Sequence, residues 1–204
     1  TFTEKAAKEL ITRISNRLLS LDIRANLNEM YIGTLHSIFL RFLEEYREFT
    51  SLKRNFRLLD QFDQQYHIFN HIHDYLHLED ADALIGPKGS NWYKAKTILR
   101  FINQIGEEKL NPDVLVKAPE PEVRAMGAFY RVYTEQLAEE NALDFSRIQM
   151  ETLDLLEKNP QVLADLQAKI RYFMIDEYQD TNTIQEWILL LLASRSQNIC
   201  VVGD

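Results

Sequence analysis

Apolar residues recur at Ala7, Leu10, Ile11, Ile14 and Leu18, which predicts an amphipathic helix over residues 4–19 with Thr3 placed to cap it. Met30 to Thr34 reads as a short strand, and Ser37 is a candidate cap for a helix striped by Ile38, Phe39, Phe42, Leu43 and Tyr46. From about Phe56 to Glu140 the period is helical throughout, interrupted at Ile85 to Asn91 and at Ala118 to Pro121, and no strand is convincing there. The helical pattern continues over Phe145 to Leu156 and, past Asn159-Pro160, over Gln161 to Ala168. Arg171 to Ile175 has the apolar density of a buried strand, a helix is predicted over Thr183 to Ala193, and Ile199 to Val202 forms a closing apolar run. Strand, helix, strand favours a parallel pair. The expected fold is α/β and predominantly helical, with an all-helical block set between pieces of a parallel sheet. Residues 1–57 and 141–204 are assigned to the sheet-bearing part and 58–140 to the insertion.

Composition adds constraints. The 204 residues are 46% hydrophobic and 26% charged, as in an ordinary globular protein. The lone Cys200 cannot form an intramolecular disulfide, and no signal peptide is recognisable. The longest apolar run, Trp187 to Ala193, is about a third of the ~20 residues of a membrane span. A cytoplasmic setting without membrane contact is expected, with Cys200 and Leu189 to Leu192 as core. The chain opens without Met on Thr1-Phe2-Thr3 and stops at Gly203-Asp204 after an apolar run, so we expect a segment of a longer protein.

The net charge of −8, as an average, speaks against a nucleic-acid binder. The distribution is uneven, however. Residues 1–57 carry ten Lys or Arg against seven Asp or Glu, and residues 86–105 carry four basic residues and no acidic one. A polyanion would therefore meet those two stretches, whereas residues 58–85 contain no Lys or Arg.

The strongest chemical signal is Ile175-Asp176-Glu177-Tyr178-Gln179-Asp180-Thr181. Carboxylates at the carboxyl end of a parallel strand sit where open α/β sheets place ligands. There a first carboxylate can hold Mg2+ while its neighbour orients or deprotonates a water. A bare Asp-Glu pair is equally the composition of a solvated turn; the apolar strand before it and the Gln and Asp after it favour the chemical reading.

This stretch, with Asn182, resembles the Walker B motif of the UvrD/Rep family of superfamily 1 DNA helicases, which usually has Phe where Tyr178 stands. Thr1 to Ala7 resembles that family's motif Ia, Gly33-Thr34-Leu35-His36-Ser37 its next DNA-contacting motif, and Val201 to Asp204 the start of motif III. Phe56 to Asp60 and Leu143-Asp144-Phe145 are similar to further family landmarks, so the likeness covers essentially the whole chain. It implies a partial RecA-like ATPase core, a P-loop NTPase sheet without its P-loop, carrying a helical insertion. The implied activity is an ATP-driven motor that moves 3′ to 5′ on single-stranded DNA and opens duplex at single/double-strand junctions, with a second RecA-like domain elsewhere in the parent.

By match of position, Asp176 would bind Mg2+, Glu177 would activate the hydrolytic water, and Gln179 and Asp180 would link the ATP site to its surroundings. Asp204 would precede the family's γ-phosphate-sensing Gln. Thr1, Phe2, Thr3 and Lys5 would meet single-stranded DNA, Phe2 by stacking, worth about 1–3 kcal/mol per base. The blander account makes Phe2 core and Lys5 a solvated helix residue. Glu4 stands where Asn is common and is unhelpful near phosphates. Thr34, His36 and Ser37 would hydrogen-bond the DNA backbone, or Ser37 would only cap a helix beside a structural His36; Leu35 stands where Phe is common. Lys88, Lys94 and Lys96, with Arg100, Trp92 and Tyr93, would contact duplex phosphates or form a plain basic face. No Gly-Lys-Ser/Thr occurs in the 204 residues, so this piece alone is expected not to hydrolyse ATP. Two alternatives remain: the motor of a recombination helicase-nuclease, and a non-catalytic DNA- or protein-binding module derived from the motor.

His67, His71 and Asp74 share a helical face at metal-ligand spacing. Ile68, Phe69, Ile72 and Leu76 define the opposite side as buried, so these histidines are expected to face water.

Overall fold

A computed structural model describes residues 1–204 except Phe2 and Ala25. In chain order its elements begin with α1 (Glu4–Ser20), α2 (Leu35–Glu45) and β1 (Arg57–Leu58). There follow α3 (Gln61–Asn70), α4 (Ile72–Leu76), α5 (Ala81–Ile85), α6 (Asn91–Glu107), α7 (Pro112–Leu115) and α8 (Pro121–Glu139). The chain ends with β2 (Ala142–Leu143), α9 (Phe145–Lys158), α10 (Pro160–Lys169), β3 (Phe173–Ile175), α11 (Thr183–Ala193) and β4 (Ile199–Val201). The structure is thus mostly helical with small parallel sheets, β1 pairing with β2 and β3 with β4. It divides into two compact units, one of residues 1–50 and 151–204 and the other of residues 51–150.

The 51–150 unit has a closed core. Ile68, Tyr75, Ile98, Phe129 and Leu137 of α3, α4, α6 and α8 are fully buried, together with Leu59 just after β1. Burying each large apolar side chain is worth about 1.5–3 kcal/mol, which is what lets short helices such as α4 and α5 persist. α8 approaches α7 so closely at Gly127 that a Cβ there would lie 2.8 Å from the Leu115 side chain and 2.9 Å from the Val116 nitrogen. The Tyr133 hydroxyl donates to the buried carboxylate of Asp144 at 2.7 Å, and that carboxylate also accepts the Arg147 amide at 2.7 Å, capping α9. Burial pushes the Asp144 pKa up, and these hydrogen bonds oppose the rise.

Two expectations fail in this unit. Arg57–Leu58 is a strand, aligned with Ala142–Leu143, and the Arg57 and Leu59 amides donate to the carbonyls of Asn141 and Leu143. Two residues have no readable period, and their partner lies 85 positions away. β1 and β2 pair with each other inside the unit of residues 51–150. Second, the predicted helix through His71 breaks there, at φ −103° and ψ 18°, into α3 and α4.

In the other unit, Phe39, Phe42 and Leu43 of α2 and Val162 and Leu166 of α10 are buried, and Gln167 donates to the Leu191 carbonyl at the end of α11. Tyr46 donates to Asp165, while Lys169 donates to Tyr46 at 2.8 Å. β3 and β4 run parallel in the register Phe173 to Ile199 and Ile175 to Val201. The predicted α11 ends agree with those observed, for Asn182 and Gln185 form a reciprocal capping box. Met30–Thr34 is not a strand; a single 3-10 turn, Leu27–Glu29, precedes it and extended backbone leads into α2. β-prone residues without a neighbouring strand gain nothing from extension. Cys200 is exposed, not core, as are all of β4 and Leu190, while Leu189 and Leu192 are buried. No helix among the described residues is long and apolar enough to cross a membrane.

Candidate functional site

Asp176 and Glu177 leave the carboxyl end of β3, both exposed. Glu177 has φ 54° and ψ 44°, a left-handed conformation that costs a non-glycine residue of order 1–3 kcal/mol. The surroundings hold it there. The Tyr178 amide donates to the Val202 carbonyl at 3.0 Å and the Val202 amide to the Ile175 carbonyl at 2.8 Å, so β4 continues past the strand to brace the turn. The Gln179 amide group donates to the Glu177 carboxylate at 2.6 Å. Gly203 lies close beneath it: a Cβ there would fall 2.2 Å from Gln179 Oε1, so any other residue would displace the Gln179 side chain. The Tyr178 hydroxyl donates to Glu186 at 2.8 Å, which raises the tyrosine pKa. Asp180 and Asp204 are exposed nearby in sequence to this turn and to Gly203. Two adjacent exposed carboxylates on a braced turn are a hard-oxygen donor set of the kind Mg2+ takes, with the waters it keeps.

The same unit brings two more of the singled-out stretches together. The Thr1 nitrogen donates to the Gly33 carbonyl at 3.3 Å, and the Thr34 hydroxyl donates to the Glu4 carboxylate at 3.1 Å. Thr3 caps α1 by accepting from the Ala6 amide, and Lys5 is exposed in its first turn. Phe2 lies outside the described residues.

The cap of α2 is Thr34, not Ser37: the Ser37 amide donates to the Thr34 hydroxyl at 3.2 Å. Thr34 is buried and its one hydroxyl proton goes to Glu4, so it shapes the turn and has no donor left for a phosphate. Glu4, which read as a liability, is therefore the acceptor that ties the first stretch to the second. Ser37 is exposed and donates to the Thr34 carbonyl at 2.9 Å. Burial lowers the pKa of His36, which favours the neutral imidazole.

Lys88, Lys94 and Lys96 belong to the 51–150 unit. Lys94 is only 8% exposed on the inner face of α6, which corrects its assignment as a phosphate contact. Lys88 and Lys96 are exposed. Lys96 and Arg100 line an open groove of about 630 Å³ with Tyr93 and Thr97, and Glu107 and Glu108 line it further along α6. Trp92 packs on Phe62 and Phe69, with ring centroids 5.9 and 5.5 Å away, so it is structural. His67, expected to face water, is 4% exposed, and Asp74 bonds Gln136 instead of joining the histidines.

The strand-end carboxylate pair, braced by the strand beside it, thus shares one unit with the turns at Thr1 and Thr34, and comparison with known proteins shows the family. The chain belongs to the UvrD/REP helicase N-terminal domain family, which matches residues 1–204. Over 205 aligned positions it is 35% identical to the ATP-dependent DNA helicase PcrA of Leuconostoc citreum, covering 100% of this chain and 25% of that protein. It is 32% identical to the helicases of the same name from Staphylococcus epidermidis and Staphylococcus aureus, covering 100% of this chain and 26% of each. The chain spans about a quarter of the length of the curated relatives it matches.

Proposed function

We propose that these residues form part of the first RecA-like motor domain of an ATP-dependent DNA helicase that translocates 3′ to 5′ on single-stranded DNA and unwinds duplex. The observation that carries this reading is the Glu177 turn: a carboxylate kept in left-handed backbone at a strand end, oriented by Gln179, whose side chain lies against Gly203. When bound, Mg2+ supplies charge neutralisation at the transferring phosphoryl group. Asp176, at the strand end, offers its carboxylate to that ion. Glu177 accepts a proton from the attacking water, and the hydrogen bond from Gln179 fixes the carboxylate in position to do so. Asp180 and Asp204 complete the polar rim on the nucleotide side.

Single-stranded DNA would lie across the start of α1 and the start of α2. There Phe2 offers a ring for stacking, and Thr3, Lys5, His36 and Ser37 offer hydrogen bonds or charge, while Thr34 and Glu4 hold the two turns in register. Lys88 and Lys96 would meet duplex phosphates near a junction, a contact that weakens with salt. The isolated 204 residues would not turn over ATP, for they contain no phosphate-cradling Gly-Lys-Ser/Thr.

The test is Glu177→Gln in the whole protein. Steady-state ATP hydrolysis is expected to fall by at least ~100-fold with nucleotide binding retained, the loss typical of removing a positioned general base. ATPase activity equal to wild type would remove Glu177 from the mechanism.

A further inference from the structure

Where α3 ends beside the end of α8, three potential ligand atoms converge within 4.8 Å of one another, from His67, His71 and Glu140. His67 Nδ1 is 3.4 Å from Glu140 Oε1, and His71 Nε2 is 4.0 Å from the same oxygen. The protons on the two rings can be placed from their other nitrogens. Asp74 only accepts, so the Gln136 amide nitrogen faces it, at 2.9 Å, and Gln136 Oε1 faces the opposite way. That oxygen takes the Tyr75 hydroxyl proton at 2.8 Å and lies 3.2 Å from His67 Nε2, which must therefore be the protonated nitrogen of the neutral ring. His71 Nδ1 lies 3.0 Å from the His67 carbonyl and is protonated for the same reason. Both imidazoles are left with a lone pair directed at a carboxylate. Two lone pairs and an anion in that arrangement repel one another unless a cation sits among them.

We infer that His67 Nδ1, His71 Nε2 and a Glu140 carboxylate oxygen form a Zn2+ site with a water in the fourth position. Two imidazoles and one carboxylate are a recognised three-ligand zinc set. Tetrahedral bonds of about 2.0–2.1 Å place donor atoms roughly 3.3 Å apart; His67 Nδ1 and Glu140 already stand at that spacing, and closing the set requires the His71 and Glu140 side chains to move inward. The Glu140 and His71 side chains are each 38% exposed, which leaves room for that movement, for entry of the ion and for its water. The supporting bonds are those that orient metal-binding histidines: each ring donates its far N–H to an oxygen, one an amide and the other a backbone carbonyl. The ion would clasp α3 to α8 beside the paired β1 and β2.

The test uses the whole protein, freed of metal by chelator and titrated with ZnCl2 at neutral pH. One equivalent is expected to bind, and Co2+ is expected to give the visible absorption of a tetrahedral nitrogen and oxygen site without the sulfur charge-transfer band that Cys200 would add. His71→Ala and Glu140→Gln, both at half-exposed positions, are each expected to weaken Zn2+ binding by more than about 100-fold, and Gln136→Leu by about 10–100-fold. Zn2+ is also expected to raise the thermal midpoint of the wild-type protein and not that of Glu140→Gln. Absence of stoichiometric binding by the wild-type protein, or unchanged affinity in both ligand variants, overturns the site.

Discussion

The two units of this chain differ in how completely they close. In the 51–150 unit the large side chains of α3, α6 and α8 meet in a core where Ile68, Phe129 and Leu137 have no exposure. In the other unit β4 is exposed along its length, Met174 of β3 is 85% exposed, and α1 buries only Ala7. Yet the less closed unit carries the braced carboxylates, the left-handed Glu177 and the coupled turns at Thr1 and Thr34. The turns constrained by hydrogen bonds and tight approach lie in one part, and the more completely closed apolar core in the other.

The contrast can be broken or sharpened by measurement, because each unit holds one tryptophan, Trp92 in one and Trp187 in the other. Single-tryptophan variants report the two separately. The largest effect is expected from Phe129→Ala, which empties a fully buried site and should lower the stability of the Trp92 unit by about 3–5 kcal/mol in urea unfolding. A loss shared equally by both reporters would mean that the units unfold as one. Tyr133→Phe removes the hydroxyl that bonds Asp144 and leaves a buried carboxylate short of a donor, so about 1–3 kcal/mol should go from the same transition. Thr34→Ala removes both the α2 cap and the link to Glu4, and about 1–2 kcal/mol should be lost from the Trp187 unit. In the whole protein the same change should weaken single-stranded DNA binding.

The smallest effect concerns pH. Burial depresses the pKa of His36 below its ordinary 6.5, so below that value the unfolded chain takes up a proton before the folded one does. Stability of the Trp187 unit should therefore fall as pH drops through 6.5, and level off once folded His36 is itself protonated. His36→Asn should flatten that part of the profile; an unaltered profile would show that burial of His36 has no thermodynamic weight.

Much of this was legible along the chain. The α1 and α11 helices, the parallel pair of β3 and β4, and the carboxylates after Ile175 all follow from local period and local chemistry. So does the Thr3 cap, because a hydroxyl and the amide it serves are three residues apart. Ser37 in place of Thr34 was an error of three positions within the right turn, for either hydroxyl satisfies the same spacing rule and only the entry angle of the chain selects between them. The strand read at Met30 to Thr34 failed for a different reason: its residues suit a sheet, but no second strand comes to them. Cys200 and Lys94 exchanged environments with expectation, because which face of a strand or helix is covered depends on what packs there.

What the sequence determined by itself is what neighbours within a few residues can decide: helix periods, caps, the acidic turn and the family of motifs it belongs to. The tertiary structure alone decided the pairs that lie far apart in the chain, where no local rule reaches. Glu4 became the partner of Thr34, Gly203 the neighbour of Gln179, Arg57 the neighbour of Ala142, and Glu140 the carboxylate beside His67 and His71. Each such pair exists because burial elsewhere brings the chain back on itself, and the energy that does so is spread over a core that no single spacing reveals.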